Sequence, residues 1–334
     1  MKLLSIVIPF FNTSESLFAK CLASLRCDRA GDIEVVVVDD GSSPESGRTL
    51  EKVVSAAPID VSVLHKENGG QNSARVHGLS IARGEYVLFI DSDDYVDTGA
   101  LDDLLDILER EKPKILSFNY DVVDAGGGLI ERHDRWRGGC STMDIAEGVI
   151  HSDSLWMQAY RKELISDSES LFAQGIRIGE DLASATRILL AVGEASTAGI
   201  SLYRYVKRPG STLDKPPSDS MLDIARAFDW ILGLPEGKVS PYRSELEWMA
   251  ILHVLFWGGV RIISSYGPDT ELKETLFDWM DDRFPDWRVN PYLKSERIAS
   301  KLDFRLVVFG RWRECRRLHG VKRLAKHLLG TVGS

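Results

Sequence analysis

Short apolar runs alternate with helix-like segments through the first 120 residues of the chain. Strand-like runs cover residues 3–8, 33–38, 61–64 and 86–90, and apolar residues recur at helical spacing over 17–25, 73–82 and 100–108. Strands that are apolar on both faces and alternate with helices are typical of a parallel sheet covered by helices on each side. The pattern therefore predicts an α/β fold.

The pattern changes near Asp214, after which Pro216 and Pro217 interrupt the chain. Helical spacing then continues without clear strands, over residues 221–232, 243–265, 270–281 and 296–329. The longest apolar stretch, residues 249–260, is shorter than the roughly 20 residues that a membrane-spanning helix needs. We therefore predict an α/β domain over residues 1–214 and a helical C-terminal region over residues 215–334.

Polar and acidic residues follow each predicted strand. In chain order they are Pro9-Phe10-Phe11-Asn12, Asp39-Asp40-Gly41-Ser42, Glu67-Asn68-Gly69-Gly70 and Asp91-Ser92-Asp93-Asp94. Ligands of open α/β sheets bind beyond the carboxyl ends of the strands. The four loops are therefore expected to form one composite site.

Asp91 and Asp93 place two carboxylates two residues apart at a strand end. Hard divalent cations such as Mg²⁺ and Mn²⁺ prefer carboxylate oxygens and fill their remaining positions with water and phosphate. Such a cation neutralises a departing diphosphate. The alternative is that the acidic loop only turns the chain and caps the next helix.

The second and third loops also allow two interpretations. The segment 39–42 is a turn sequence, and one of its carboxylates could accept a hydrogen bond from a base or a sugar hydroxyl. Gly69 and Gly70 let the backbone approach a ligand, and Arg75 follows near the start of a helix, where phosphate is favoured. The G-x-x-x-x-G-K-[ST] phosphate loop and the G-x-G-x-x-G dinucleotide motif are both absent from the sequence.

Five motifs follow one another along the chain: S-I-V-I-P-F-F-N, V-V-V-D-D-G-S-S-P, E-N-G-G-Q-N-S-A-R-V-H-G, G-E-Y-V-L-F-I-D-S-D-D and I-G-E-D-L. In order and spacing they resemble the motifs of family-two glycosyltransferases of the bacterial surface-polysaccharide type, which are inverting enzymes of the GT-A fold. The resemblance covers residues 3–212. Two positions depart from the family. Val76 stands where Asn is frequent, and W-M-Q-A-Y at residues 156–160 replaces W-N-K-L-Y, which removes a polar pair on the acceptor side.

The resemblance implies a nucleotide-sugar-binding half over residues 1–120 and an acceptor-side half over 121–214. It implies that Phe11 packs near the base and Asp40 binds it. It also implies that Asp91 faces the ribose or the metal and that Asp93 is the principal ligand of Mn²⁺ or Mg²⁺. Further candidates for binding the nucleotide sugar are Pro9, Asn12, Asp39, Asn68, Gly70, Arg75 and Ser92.

The last motif, Gly179-Glu180-Asp181, supplies a candidate general base. An inverting transfer needs one base to take the proton of the acceptor hydroxyl. By resemblance Asp181 is that base, and Glu180 beside it positions or binds the acceptor. The alternative is an acidic first turn that only complements the helix dipole.

Two further features are candidates for contact with the acceptor or the diphosphate. The stretch 203–211 resembles one near the diphosphate in relatives, so Arg204, Lys207 or Arg208 could close over the leaving group with Gly210 as a hinge. The same stretch is equally typical of a solvated strand edge with basic guards. Trp156 could stack on an acceptor sugar, although a buried tryptophan is at least as common.

The charge is distributed unevenly along the chain, which has 41 Lys and Arg, 50 Asp and Glu, and a net charge of −9. Residues 288–334 contain 12 of the basic and 3 of the acidic side chains, so they carry +9 and residues 1–287 carry −18. Over 301–334 the basic side chains flank an apolar helical face, as in helices that lie on anionic membranes. Docking of this face on the catalytic domain is the alternative, and no nucleic-acid partner is expected because no binding module accompanies the charge.

The cellular location is predicted from cysteine usage and from the N-terminus. The four cysteines are scattered without metal-site spacing, and the first apolar run is too short for a signal peptide. We therefore expect reduced thiols and a cytoplasmic protein, peripheral at the inner face of the plasma membrane if the basic end binds lipid.

The resemblance implies metal-assisted, inverting transfer of a sugar from a nucleoside-diphosphate sugar, UDP-linked, to a hydroxyl of a saccharide or lipid-linked saccharide in glycan biosynthesis. One alternative is a metal-dependent nucleotidyltransferase, whose glycine- and lysine-rich phosphate motif is missing from residues 9–16. Another is an inactive glycan-binding or scaffold relative, against which the intact Asp91, Asp93 and Asp181 argue.

Overall fold

A computed structural model describes residues 2–208 and 219–318 of the chain. The chain divides into two compact units, Met1–Asp214 and Lys215–Ser334. The first unit is built on a mixed sheet with helices, and the described part of the second unit is helical.

The predicted strands and helices of residues 1–120 are confirmed. In chain order the first unit contains β1 Leu4–Phe10, α1 Glu15–Ala23, β2 Ile33–Asp40, α2 Pro44–Ser55, β3 Val61–Lys66, α3 Gln71–Ile81, β4 Tyr86–Phe89, β5 Tyr95–Val96, α4 Thr98–Glu111, β6 Ile115–Val123, β7 Leu129–His133, β8 Ser141–Thr142, α5 Ile145–His151, β9 Gln158–Arg161, α6 Ser168–Leu171, α7 Glu180–Val192 and β10 Ser196–Val206. None of the five strands β6 to β10 is predicted from the sequence pattern.

The sheet begins with four parallel strands in the order β3-β2-β1-β4. Every residue of β1 and β2 is buried, which is why both strands consist of continuous apolar runs with few polar positions. Because these strands run in the same direction, their carboxyl ends lie along one edge of the sheet. The loops that follow β1, β2 and β4 are therefore neighbours.

The sheet continues as β9-β6-β10-β5, so strands from early and late parts of the unit are interleaved. Strand β9 lies between β4 and β6 and is antiparallel to both. Strand β5, which directly follows the acidic loop of residues 91–94, pairs with β10 rather than with its sequence neighbour β4. The acidic loop therefore connects two distant positions of the same sheet.

The second unit contains α8 Asp223–Leu232, α9 Glu236–Val239, α10 Arg243–Ala250, α11 Gly259–Tyr266, α12 Glu271–Arg283, α13 Tyr292–Ser295 and α14 Leu302–Val308, with a π-helix, Ile251–Gly258, between α10 and α11. The predicted helix over 296–329 is wrong within the described residues. Helix α14 ends at Val308, Gly310 takes a positive φ of 74°, and the chain is helical again over residues 312–318. The rest of the predicted amphipathic segment lies outside the described residues.

Among the described residues, one helical stretch of 31 residues, Glu236–Tyr266, is long and apolar enough to cross a membrane, with a mean hydropathy of 1.4 over its most apolar 18-residue window. It is longer than the apolar run 249–260 that the sequence analysis considered. Of its most apolar window, 67% is buried within the protein, as in the core helix of a folded domain.

Candidate active site

The loop after β1 supplies an exposed aromatic ring and a rigid asparagine. Pro9 is buried inside the strand, whereas the Phe11 side chain is 52% exposed. The Asn12 backbone takes a positive φ of 52°, and its Oδ1 accepts a hydrogen bond of 2.9 Å from the backbone N–H of Ser43. The first loop is thereby held against the second, with an aromatic face open to a ligand.

Asp40, at the end of β2, organises the glycine loop. Its Oδ1 accepts hydrogen bonds from Lys66 Nζ at 2.6 Å and from the Gly69 N–H at 2.9 Å, and its Oδ2 accepts one from the Gly70 N–H at 2.8 Å. Asn68 Nδ2 donates to the Asp40 carbonyl at 2.9 Å. A nucleobase that hydrogen-bonded to Asp40 would therefore contact a carboxylate that already holds the glycine loop in place.

Asp39 lies at the same edge of the sheet, where Ser42 and His65 contact its carboxylate. Its Oδ1 accepts from the Ser42 N–H at 3.0 Å, and its Oδ2 lies 2.9 Å from His65 Nδ1. Burial raises the pKa of the Asp39 carboxyl, but the hydrogen bonds from Ser42 and His65 outweigh burial and the net pKa is lowered. Asp39 is therefore ionised at neutral pH.

Asp94, the last residue of the acidic loop, anchors the end of β10. Its Oδ2 accepts a hydrogen bond of 2.8 Å from the Tyr203 hydroxyl, and its Oδ1 accepts one of 2.7 Å from the Val206 N–H. The Tyr203 hydroxyl also accepts from the Asp91 N–H at 3.2 Å. Burial raises the pKa of Asp94 well above its usual value, and the charges of Asp93 and Asp91 raise it further.

Replacing Tyr203 with Phe tests this anchor. The Tyr203 side chain is fully buried, so the variant would leave Asp94 Oδ2 and the Asp91 N–H without their partner. We expect a loss of about 1–3 kcal/mol in the free energy of unfolding, measured by urea denaturation. A free energy of unfolding equal to that of the wild type would contradict the anchoring role.

Asp93 lies nearer the surface and contacts Arg208. The Arg208 guanidinium donates from Nη2 to Asp93 Oδ2, and the two side chains are 35% and 31% exposed. Among the described residues, Asp93 Oδ1 and Asp91 Oδ2 accept no hydrogen bond. These two oxygens are hard ligands that fit Mn²⁺ or Mg²⁺, whose remaining positions in such sites are filled by water and phosphate.

The described residues contain no metal site that is formed by protein ligands alone. No group of three or more His, Cys, Asp and Glu side chains there is arranged to hold a metal ion. A divalent cation in this loop would therefore be held mainly by Asp93, with Asp91 and the phosphates of a bound nucleotide completing its coordination.

Arg75 occupies a position that the sequence analysis did not foresee. Its side chain is fully buried, and it donates to Asp91 Oδ1 at 2.8 Å and to both oxygens of Asp181, contacting Oδ2 at 3.4 Å. The phosphate contact expected of Arg75 stays a prediction, and in this structure two carboxylates of the same chain contact the guanidinium. Arg75 instead links the acidic loop to α7.

Asp91 has an unusual electrostatic environment because of this contact. Burial raises the pKa of the Asp91 carboxyl to about 7. Arg75 opposes this increase, whereas the charges of Asp181 and Asp93 add to it. Three carboxylates thus share one small region with a single buried cation, Arg75.

Glu180 and Asp181 open α7, as predicted, directly after Gly179, which takes a positive φ of 87°. Burial raises the pKa of Glu180 to about 8, and the Asp181 charge contributes to the increase. Glu180 is therefore largely neutral at pH 7. Asn72 Nδ2 donates to the Glu180 carbonyl at 3.2 Å and fixes the start of α7 against α3.

Two of the predicted contacts with the acceptor or diphosphate are wrong in this structure. Trp156 is 8% exposed and packs in a stack of aromatic rings, with its centroid 4.4 Å from that of Tyr203, so it has no free face for a sugar. Arg204 Nη2 donates to Asp97 Oδ2 at 2.9 Å, and its Nη1 lies 3.4 Å from Asp121 Oδ2. Arg204 therefore stabilises the sheet.

The other two basic candidates remain at the rim of the site. Lys207 is exposed, and Arg208 contacts Asp93 as described above. The proposed hinge, Gly210, lies outside the described residues.

Several residues that complete the site were missed by the sequence analysis: Thr13, Lys66, Gln71, Asn72 and Tyr203. Thr13 Oγ1 lies 2.6 Å from Ser92 Oγ, and Gln71 Nε2 donates to Asp91 Oδ1 at 2.6 Å. Gln71 and Asn72 belong to the motif E-N-G-G-Q-N-S-A-R. Their position within this motif was the available indication that they contribute to the site. Nothing in the local sequence of Lys66 indicates its contact with Asp40.

Comparisons with known proteins agree on one family. Residues 5–168 match the family described as glycosyl transferase family 2. EpsH of Bacillus subtilis (strain 168), described as a glycosyltransferase, is 36% identical over 267 residues, which cover 75% of this chain and 74% of EpsH. The glycosyltransferase EpsJ of the same organism is 27% identical over 226 residues, and the match spans 66% of this chain and 65% of the length of EpsJ.

The fold is similar to that of a solved glycosyltransferase. The crystal structure of residues 1–349 of Staphylococcus aureus TarS in complex with UDP-GlcNAc superposes with a TM-score of 0.65 at 23% sequence identity. The superposition covers 97% of this chain and 92% of the TarS chain. The likeness shows that the two chains share the GT-A architecture.

Proposed function

The chain belongs to glycosyl transferase family 2, and from this we propose that it transfers a sugar, with inversion, from a UDP-sugar to a saccharide hydroxyl. The observation that carries the proposal is the position of Arg75. One buried guanidinium contacts Asp91 of the acidic loop and Asp181 of α7, so a donor-side carboxylate and a candidate base meet at one site.

We propose that the donor binds across the ends of β1, β2 and β4. Phe11 would stack on the base, Asp40 would accept a hydrogen bond from it, and the ribose and diphosphate would lie over the acidic loop. The complex of TarS with UDP-GlcNAc supports a UDP-linked donor, since the two chains share their fold. Asp93 would be the main ligand of Mn²⁺ or Mg²⁺, which when bound neutralises the charge of the leaving diphosphate.

In the transfer step, an acceptor hydroxyl oxygen attacks the anomeric carbon as the bond to the diphosphate oxygen breaks. Asp181 takes the hydroxyl proton. Arg75 would orient Asp181, because its buried guanidinium contacts both carboxylate oxygens. Glu180, neutral at pH 7, would position the acceptor by hydrogen bonding.

We further propose that the acceptor is a saccharide or lipid-linked saccharide of a bacterial surface polysaccharide, handled by a cytoplasmic enzyme at the membrane. The basic charge of residues 288–334 supports an anionic membrane surface as a partner. Helix α14 adds two apolar side chains that face outward, Leu302 at 60% and Phe309, just beyond its end, at 44% exposure. The remainder of the basic segment lies outside the described residues.

Thermal unfolding with nucleotides tests the donor proposal. UDP or UDP-GlcNAc at 100 times its dissociation constant, with Mn²⁺ present, should stabilise the folded protein by about 2.7 kcal/mol and raise the melting temperature. ADP at the same concentration is the control for base recognition. Equal shifts with UDP and ADP, or no shift with either, would contradict a UDP-sugar donor.

A nucleotidyltransferase remains the enzyme alternative from the sequence. The reported matches are to glycosyltransferases, which favours sugar transfer over nucleotidyl transfer. Release of UDP from a UDP-sugar, rather than of inorganic diphosphate from UTP, distinguishes the two reactions.

A further inference from the structure

Asp93, the proposed cation ligand, is paired with an arginine in this structure. The Arg208 guanidinium contacts Asp93 Oδ2 at the rim of the site. This pair differs from the contacts of Arg75 with Asp91 and Asp181, in which the guanidinium is fully buried. At about one third exposure, the Arg208 side chain has space to exchange partners.

The backbone that carries Arg208 is fixed close to Asp93. The Val206 N–H donates to Asp94 Oδ1 at 2.7 Å, and the Lys207 N–H donates to the Val123 carbonyl at 2.8 Å. The chain is therefore anchored up to the residue before Arg208. Only rotations of the long arginine side chain are needed to bring its guanidinium to Asp93 or to turn it away.

Two cations compete for one carboxylate in this arrangement. A guanidinium and a divalent cation that both contacted Asp93 would lie within several ångströms of each other, where like charges repel strongly. A bound diphosphate removes the conflict, because it supplies negative oxygens to both cations. The donor can therefore bind the cation and the arginine together, whereas the cation alone must displace the arginine.

We propose that Arg208 is a competitor of the divalent cation for Asp93, released when the cation arrives with a nucleoside diphosphate, to which Arg208 then binds. Arg208 thereby lowers the affinity for free cation and raises the affinity for the cation–nucleotide complex. By linkage, cation and nucleotide each strengthen the binding of the other. The inference rests on the proposed function, since it takes Asp93 as the cation ligand and a diphosphate as part of the donor.

The test compares Mn²⁺ binding by electron paramagnetic resonance in the wild type and in Arg208→Ala, first without and then with UDP. Without UDP, the variant should bind Mn²⁺ about tenfold more tightly than the wild type. With saturating UDP the order should reverse, the variant binding Mn²⁺ about tenfold more weakly. Arg132→Ala, which removes an exposed arginine paired with Asp121, controls for net charge and should leave both affinities unchanged.

The double variant Asp93→Asn/Arg208→Ala shows whether the gained affinity belongs to Asp93, because it should lose that gain. The proposal would be overturned if, without UDP, Arg208→Ala bound Mn²⁺ no more tightly than the wild type does. A gain that survives the Asp93→Asn change would also overturn it. If UDP still binds the wild type by calorimetry in these cases, the inference fails while the proposed function stands; if UDP does not bind, the proposed function fails.

Discussion

The Asp181→Asn variant is expected to transfer sugar about 10²- to 10⁴-fold more slowly than the wild type, the contribution typical of a general base. Its affinity for UDP should remain within a few-fold of the wild-type value, because Arg75 keeps Asp91 as a charged partner and the acidic loop stays in place. The measurement is UDP release with an acceptor present, combined with calorimetry of UDP binding. Retained UDP affinity separates a loss of chemistry from a loss of structure.

Glu180→Gln is the matched variant for this experiment. Burial raises the pKa of Glu180 to about 8, so the wild-type side chain is largely protonated at pH 7 and Gln reproduces its neutral state. The variant should therefore lose much less activity than Asp181→Asn. The opposite order would move the base role from Asp181 to Glu180, and loss of UDP binding in Asp181→Asn would assign Asp181 to the donor site instead.

Arg75→Ala is expected to destabilise the first unit by about 3–5 kcal/mol, the cost of leaving buried charges without their partner. Arg75 is the one described cation that contacts both Asp91 and Asp181, and it is fully buried. Urea denaturation measures the effect. Arg110→Ala is the control, since Arg110 and its partner Glu111 are 69% and 41% exposed, and it should cost no more than about 1 kcal/mol.

The destabilisation by Arg75→Ala should also depend on pH. Burial raises the pKa of Asp91, whereas the charge of Arg75 lowers it. Removal of Arg75 therefore raises the pKa of Asp91 further. The folded variant then binds a proton that the unfolded chain releases, so its stability falls as the pH rises through the folded-state pKa. The cost should be smaller at pH 6 than at pH 8, and an equal cost at both values would contradict an electrostatic origin.

The parallel half of the sheet could be predicted because burial on both faces leaves a local signature. The strands β1 and β2 consist of consecutive apolar residues, and the motif residues that follow them lie at one edge for that reason. Later strands lack this continuous apolar run: β8 has two residues, β7 is largely exposed, and β6, although mostly buried, carries Ser117, Asn119 and Asp121 among its apolar residues. Their pairing depends on partners far away in the chain.

The contacts among the candidate site residues could not be predicted from the sequence. Arg75 and Asp181 are 106 positions apart, and no periodicity connects them. The helix position of Arg75 indicated phosphate, but the buried guanidinium is used by carboxylates of the same chain. Trp156 likewise allowed two interpretations, stacking on an acceptor sugar or packing in the core. Its burial against Tyr203 favours packing in the core.

The interleaved sheet limits how such an enzyme can be recombined with its relatives. A chimera that joined residues 1–120 of this chain to the following segment of another glycosyltransferase would place a foreign β9 between β4 and β6 and a foreign β10 beside β5. It would also separate Asp94 from the tyrosine hydroxyl and backbone N–H that hold it. New acceptor specificity is therefore better introduced by grafting the loops between strands than by exchanging halves of the domain.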